Sequence, residues 1–441
     1  MSGEPYPCIT LKDRMAQLHV PGVSIAVIHN GTIEWANGFG VKQEGGEPVN
    51  ADTLFQAGSI SKPVSAMAAL HQVQQKKLSL DADVNSELVT WKVPDNPIAH
   101  GKPVTLRELL SHTSGLNGEG FPGYGAKQPV PTLLQVLNGE KPSYTGPIKL
   151  QSEPGSEWAY SGGGYTVIQQ LLIDRTGEPF LKLLHETVLA PLGMTNSTFE
   201  QPLSPALQPQ AALPYQADGK PVPGGAHTYP ELAAAGLWST PSDLARFAIE
   251  MQRSLDGKAH HVLSQDLASQ MVTVVKGDWG LGFETGGSDT DPLFEHGGSD
   301  AGFESLMVAY RNHGDGAVVM TNGQGGGSLA MEIVESIAAE YAWPNFRHPE
   351  HTIVKVAPTV LGRYAGTYEF RPGFVMTFVL NGGQLAIKVN NQVEDPLFPE
   401  SQTKFFLKST EVQFEFFADK TGDASYVVLQ QNGHDQKGLR K

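Results

Sequence analysis

Residues 55–77 read FQAGSISKPVSAMAALHQVQQKK, and the spacing of their apolar positions predicts a helix that opens on a reactive pair. Ser59 stands just ahead of the apolar-periodic run, and Lys62 follows three residues later, which puts both side chains on one helix face. A serine hydroxyl is unreactive at its free pKa. A desolvated lysine with a lowered pKa at this spacing takes its proton, and the helix N-terminus favours the negative charge that develops during attack on a carbonyl. The pattern suits acyl transfer. By itself S-x-x-K says little, because Ser401 and Lys404 repeat it in a strand-like stretch with no helix behind it.

Two further stretches, in a fixed order along the chain, give the first match its weight. In PGSEWAYSGGGY (154–165), Tyr160 is a phenol beside a glycine-rich opening, suited to relaying a proton. In FEHGGSDAGF (294–303), His296-Gly297-Gly298-Ser299 comes immediately before the strand-like ESLMVAY, Glu304 to Tyr310. Its backbone is expected to run along the edge of a cleft, where main-chain donors supply half an oxyanion hole. A lone tyrosine is more often core, and a lone histidine beside glycines more often a satisfied turn residue.

Working outward, VSIAVI (23–28), the turn His29-Asn30-Gly31 and TIEWANGFG (32–40) read as a hairpin. Far along the chain, ESLMVAY, a Gly-containing turn and AVVMTN (317–322) read as two more strands. Leu329, Ile333, Ile337 and Tyr341 then repeat at i+4, the period of an amphipathic helix. Between these ends lie the helix-like KPVSAMAALHQVQQKK, TLRELLSHT, YTVIQQLLIDRTG and PSDLARFAIEMQR, interrupted by Gly/Pro-rich loops at 117–131 and 201–223. The simplest assembly is an α/β fold: one antiparallel sheet drawn from both chain ends, flanking helices, and a mostly helical region inserted between.

After Trp343 a connector, PNFRHPEH, leads to a change of texture, and a second domain is expected from near residue 355. There RYAGTYEF, FVMTFVL, QLAIKV, KFFLKS, VQFEFFA and SYVVLQ are separated by turns such as Asn381-Gly382-Gly383 and Thr421-Gly422-Asp423. Such spacing predicts a small all-β barrel or sandwich. The expected division is thus 1–350 and 355–441.

Composition narrows the classes further. Charged residues make up 17% of the 441, against about 25% in typical soluble proteins, while 49 Gly and 31 Pro argue against a coiled coil, a helical bundle or a charged disordered tail. No apolar run approaches the roughly 18 residues that cross a bilayer, so no membrane span is expected. Net charge is −15; ten basic against nine acidic residues from His351 onward leave −16 on the first 350. A nucleic-acid partner needs the opposite sign. The single cysteine, Cys8, forms no internal disulfide and leaves the redox compartment open. The start, MSGEPYPCIT, shows no basic segment followed by an apolar one, so no signal peptide is expected there, and localisation stays open between cytoplasm and periplasm.

Taken together, the three elements resemble the serine β-lactamase and penicillin-binding-protein superfamily, whose signature set is S-x-x-K, a second polar motif and K-T-G. The resemblance is to its class C-like branch, the peptidase S12 group with D-alanyl-D-alanine carboxypeptidases and esterases. LLSHTSGL (109–116), LAPLGM (189–194), GLWSTPSDLARF (236–247) and WGLGF (279–283) support it, and the likeness spans roughly residues 10 to 345. Residues 355–441, with LGRYAGTYEF near their start, resemble the lipocalin-like β-barrel appended to some members.

The resemblance implies roles for particular residues. Ser59 is then the nucleophile, Lys62 its activating base, and Tyr160 the group that passes a proton to the leaving group and later activates water. The main-chain N–H groups of Ser59 and Ser299 bind the oxyanion. Two departures matter. The second motif is usually Y-x-N, whereas Tyr160-Ser161-Gly162 lacks the amide that bonds a substrate carbonyl; the third usually opens with Lys, whereas His296 removes a fixed cation. Substrate contacts are expected at Ser161, Gly162, His296, Gly297 and Gly298.

These losses bear on substrate more than on mechanism. Efficient β-lactam hydrolysis is not expected, the acidic charge disfavours anionic substrates, and members with histidine in the third motif include D-aminopeptidases and esterases. The expected function is a serine acyl hydrolase forming a covalent Ser59 ester, with an ester, a D-amino-acid peptide or a β-lactam as small-molecule or peptide acyl donor. The alternative is a non-catalytic relative serving as ligand-binding or assembly scaffold.

No cofactor or metal is expected. His260-His261 lacks partners at ligand spacing. The glycine cluster Gly323 to Gly327 carries Ser328 where a G-x-G-x-x-G fingerprint closes on glycine, so it reads as a strand-to-helix turn. Ser299 within G-x-S-x-A is followed within five residues by a strand, the wrong setting for a nucleophile elbow. His112 in LLSHTSGL reads as a structural residue bonding a loop. The C-terminal barrel is expected to fill its own interior and to cover the cleft or mediate contacts between copies, which leaves homo-oligomer formation open.

Overall fold

The computed structural model describes residues 9–258, 261–344, 346, 353–371, 374–389, 395–407, 412–418, 422–431 and 434–441. Cys8, His260, Thr421 and most of the 344–351 connector lie outside them. The chain forms two compact units, one over residues 9–345 and the other over 346–441.

In the first unit, β1 (Gly22–His29) and β2 (Thr32–Gly40) form the expected hairpin. Asn30 and Gly31 turn it with positive φ values of 51° and 70°, the geometry that matches strand twist in a two-residue turn. A short ladder joins β3 (Phe55–Gln56) to β4 (Trp238–Ser239). Later in the chain come β5 (Glu284–Gly287), β6 (Pro292–Asp300), β7 (Phe303–Tyr310) and β8 (Gly316–Thr321). The six-stranded sheet runs β2-β1-β8-β7-β6-β5, with antiparallel pairing throughout. Seven of the eight residues of β1 are buried, as a central strand covered on both faces requires, whereas β2 is an exposed edge. Pairing of Val23 with Thr321 and Val27 with Ala317 joins the two ends of this unit, as the sequence predicts.

His296 to Ser299, read only as the backbone immediately before a strand, are themselves the second half of β6, paired with Met307 to Glu304 of β7. Glycine-rich sequence has poor strand propensity, and this stretch is held extended by its neighbour. The β6–β7 connection is the two-residue Ala301-Gly302, with Gly302 at φ 76°.

Helices Pro241–Leu255 and Gly326–Glu340 pack on the sheet. The inserted region is led by Ser61–Gln74 and Gly162–Thr176, each buried on most of its surface. A helix buried nearly all round sits inside a core rather than on it.

The second unit is a closed antiparallel barrel of eight strands: β9 (Gly366–Arg371), β10 (Phe374–Asn381), β11 (Gln384–Val389), β12 (Asp395–Pro399), β13 (Lys404–Leu407), β14 (Val412–Ala418), β15 (Ala424–Gln431) and β16 (His434–Arg440). Tyr364, Tyr368, Phe378, Phe405, Phe414 and Phe416 fill its core, with Tyr364 stacked on Phe416 at 4.6 Å. Residues 363–364, read as strand, instead close the helix Pro358–Tyr364. β12 and β16 escape a sequence reading: the first contains Pro396 and Pro399, and the second, HDQKGLR, has one large apolar side chain, Leu439, which is exposed. Among the described residues no helix is long and apolar enough to cross a membrane.

Candidate active site

Ser59 sits in a single turn, Gly58–Ile60, that feeds directly into the helix Ser61–Gln74. Three bonds fix this corner. Ser61 Oγ donates to the Gly58 carbonyl at 2.6 Å and accepts the Leu237 N–H at 3.0 Å, while the Ala57 N–H donates to the Leu237 carbonyl at 2.8 Å. Lys62, 2% exposed, aims its Nζ at Ser59 Oγ (2.8 Å) and at the Ala234 carbonyl (2.9 Å). Among the described residues no carboxylate lies within ion-pair distance of that amine.

Tyr160 is contributed from a distant part of the chain, and its ring centroid lies 4.9 Å from Lys62 Nζ. The phenol is packed against His112 (ring centroids 4.3 Å apart) and Trp279 (5.8 Å). Serine, lysine and tyrosine are thus brought to one place.

The glycines of β6 explain how the strand reaches the nucleophile. A Cβ on Gly298 would lie 2.0 Å from the Ala57 carbonyl oxygen, and one on Gly58 (φ 53°) would lie 2.5 Å from the Ser299 nitrogen. Ser305 Oγ donates to the same Ala57 carbonyl at 3.0 Å. Main chain meets main chain here, so the segments that carry the Ser59 and Ser299 N–H groups are in direct contact.

His296 is 3% exposed, and its Nδ1 donates to the Gly297 carbonyl at 2.5 Å. Burial, reinforced by the neighbouring Lys62 charge, depresses its pKa to about 3. It is therefore neutral at physiological pH and supplies no cation. Nearby acids move the other way: burial raises Glu231 to about 7 and Glu304 to about 7, the latter despite accepting from Ser299 Oγ (2.9 Å) and Gln324 Nε2 (2.7 Å). Asp300, with both oxygens buried, is raised well above the carboxylate range by burial.

A cavity of about 500 Å³ opens over these groups, lined by Ser59, Tyr160, His296, Gly297, Gly298 and Ser299. Trp158, Trp279, Leu306 and Met331 wall it, and Glu284 and Glu304 are its only ionisable lining residues apart from Tyr160 and His296. No lysine or arginine is among the lining residues. Sequence reading missed these walls, because single side chains drawn from two loops, a strand and a helix far apart in the chain share no periodic signal.

Ser161 and Gly162, expected as substrate contacts, do not line the cavity. The Ser161 hydroxyl caps the helix Gly162–Thr176, accepting from the Gly164 N–H (2.9 Å) and donating to the Asn117 carbonyl (2.8 Å). A Cβ on Gly162 would lie 2.9 Å from Phe121 Cε2 and 3.2 Å from the Gly118 carbonyl oxygen, so the position is packed.

The decoys resolve locally. Ser401 Oγ accepts the N–H groups of Thr403 and Lys404 in a turn, with Lys404 Nζ 4.0 Å from Glu415. Gly323 to Gly325 link β8 to the helix Gly326–Glu340. Ser299 leads into a β-turn and β7, not a helix. His261 pairs with Glu250 at 2.8 Å. Among the described residues no group of three or more His, Cys, Asp or Glu is arranged to hold a metal ion.

An antiparallel sheet flanked by helices, with a serine–lysine pair beneath the glycine-rich half of β6, defines a class of protein that comparison makes specific. A family model described as Beta-lactamase matches residues 10–340, and the chain belongs to that family. A second model, for a domain of unknown function, matches residues 351–440. The chain is similar to penicillin-binding protein 4* of Bacillus subtilis, 23% identical over 461 aligned positions that cover 98% of this chain and 97% of the relative. Among solved structures it is similar in fold to the octameric penicillin-binding protein homologue from Pyrococcus abyssi, with a TM-score of 0.67, 21% identity, and 97% and 98% of the two chains covered. It is also similar to the D-amino acid amidase from Ochrobactrum anthropi, with a TM-score of 0.56, 25% identity, and 71% and 88% covered.

Proposed function

We propose that this chain is a serine acyl hydrolase that works through a covalent ester on Ser59. The observation that carries the reading is the 2.8 Å contact between Lys62 Nζ and Ser59 Oγ, made by a buried amine whose other partner is a neutral carbonyl. Acting as the free amine, Lys62 takes the Ser59 proton and becomes the ammonium as Oγ bonds to the acyl carbon, and the carbonyl oxygen collects the electron pair in reach of the Ser59 and Ser299 N–H groups. Collapse of the tetrahedral species breaks the bond to the leaving group, which takes a proton by way of Tyr160. Water then attacks the ester by the reverse route, returning Ser59 to its resting state.

The substrate side follows from charge. A neutral His296 and two acids that burial raises, Glu284 and Glu304, line the cavity, and none of the lining residues is a lysine or arginine that would pair with a substrate carboxylate beside the scissile bond. Esters and D-aminoacyl amides fit it better than penicillins, in keeping with the fold likeness to a D-amino acid amidase.

A fluorophosphonate probe should modify Ser59 in protein that hydrolyses p-nitrophenyl butyrate, and Ser59→Ala should lose on the order of 10³-fold or more in rate while staying folded. Active protein left unlabelled at Ser59, or an active Ser59→Ala, refutes the proposal. A flat trace over esters, D-aminoacyl anilides and nitrocefin favours a ligand-binding scaffold instead.

A further inference from the structure

His112 holds the two residues on either side of Tyr160. Its carbonyl accepts the Ala159 N–H at 2.9 Å, and its Nδ1 accepts the Ser161 N–H at 3.0 Å. Between those two bonds the imidazole lies against the phenol ring itself, centroids 4.3 Å apart and planes 32° apart. A peptide of three residues is therefore gripped at its first N–H, its central ring and its last N–H by one side chain and its own backbone.

The grip is preorganised. His112 is 1% exposed and stands at φ 58°, a conformation a non-glycine residue adopts only when its surroundings impose it. Trp279 (5.1 Å), Tyr165 (5.4 Å) and Trp158 (6.4 Å) pack around the ring. Because Nδ1 accepts, the ring proton is on Nε2, which has no hydrogen-bond partner. Burial, then the Lys62 charge and His296, push its pKa well below the usual histidine value, so the accepting lone pair is retained. A helix cap or a core filler needs none of this: the Ser161 hydroxyl already caps the following helix.

We infer that His112 is a positioning residue that sets the phenol of Tyr160 over the Ser59–Lys62 pair. The inference rests on the hydrolase reading above, in which Tyr160 hands a proton to the leaving group. That proton matters most when the leaving group is a poor one. An amine expelled from an amide must be protonated, whereas p-nitrophenolate departs without help.

The test compares acylation rate constants, from stopped-flow traces, for D-alanine p-nitroanilide and p-nitrophenyl butyrate. His112→Phe keeps a ring and removes the acceptor; its anilide-to-ester ratio should fall by about 30-fold or more, as for loss of a general acid. Tyr160→Phe should show the same signature, and the double variant should be no worse than Tyr160→Phe alone, because both changes remove one function. His112→Asn restores an acceptor at a residue type that tolerates positive φ, and its ratio should stay within about 5-fold of the parent. If His112→Phe does not fold, His112→Ala carries the same expectation. A ratio unchanged in His112→Phe, or losses that add in the double variant, overturns the inference while leaving the hydrolase reading intact. A parent protein that hydrolyses neither substrate and resists the fluorophosphonate sinks both.

Discussion

The Ala57 carbonyl oxygen occupies the place where a side chain on Gly298 would begin, 2.0 Å from the ideal Cβ. No rotamer relieves such a contact, since both partners are backbone, so any residue but glycine forces β6 away from the turn that carries Ser59.

Gly298→Ala should therefore separate the Ser59 and Ser299 N–H groups and, if these are the oxyanion donors as proposed, lower the acylation rate by about 10²- to 10³-fold, the loss typical of one missing donor. Gly297, whose nearest neighbour to an added Cβ is 3.8 Å away, makes the control for stability: Gly297→Ala should leave the unfolding midpoint in place while Gly298→Ala lowers it. Equal midpoints for the two variants would contradict this packing account.

His296→Lys would place a cation where the cavity now has a neutral ring. The change should improve kcat/KM for nitrocefin, which bears a carboxylate, relative to p-nitrophenyl butyrate, by about 10-fold or more for one added ionic contact. A ratio that does not move would show that the third-motif position does not face the substrate.

Glu231 gives stability a pH dependence of known sign. Burial raises its pKa from 4.5 to about 7, so the folded state retains a proton that the unfolded chain releases. The associated stability is fully present below pH 4.5 and is lost as pH rises through about 7, an effect on the order of 3 kcal/mol. His296, depressed to about 3, acts oppositely: its stability is present above pH 6.5 and is lost as pH falls toward 3. Glu231→Gln should isolate the first effect. Denaturant titrations at pH 5 and pH 8 should show the variant losing less stability across that interval than the parent, and parallel losses would count against a buried, proton-retaining Glu231.

Ser161→Ala should cost about 1 kcal/mol of stability by uncapping the helix Gly162–Thr176. Its effect on kcat/KM should be smaller than that of Tyr160→Phe, although the two residues are adjacent. A KM rise in Ser161→Ala as large as the one in Tyr160→Phe would return Ser161 to the substrate.

What the sequence discloses of this site depends on how local the cause is. Ser59 and Lys62 are legible because one helical turn relates them, and the β1–β2 hairpin because Asn30-Gly31 is a strong turn signal between alternating strands. The capping role of Ser161 is hidden for a local reason as well. Three glycines disguise the first turn of a helix that begins at Gly162, so the residue ahead of it looks like loop rather than cap. His296 to Ser299 hide their strand because their extension is imposed by β7, not by their own propensity. His112 was legible as a loop-bonding residue, yet its purpose emerges only from knowing which loop: the one that carries Tyr160.

The seam between β1 and β8 also dates the birth of the pocket. Residues 22–29 must wait for residues 316–321 to be synthesised before they find their partner, and the wall carrying Ser299 is translated only after most of the helical insert. At elongation rates of about 5 to 20 residues per second, Ser59 emerges more than ten seconds before the strand that completes its surroundings. A nascent or prematurely terminated polypeptide therefore carries the alcohol and the amine without the strand that lies against them.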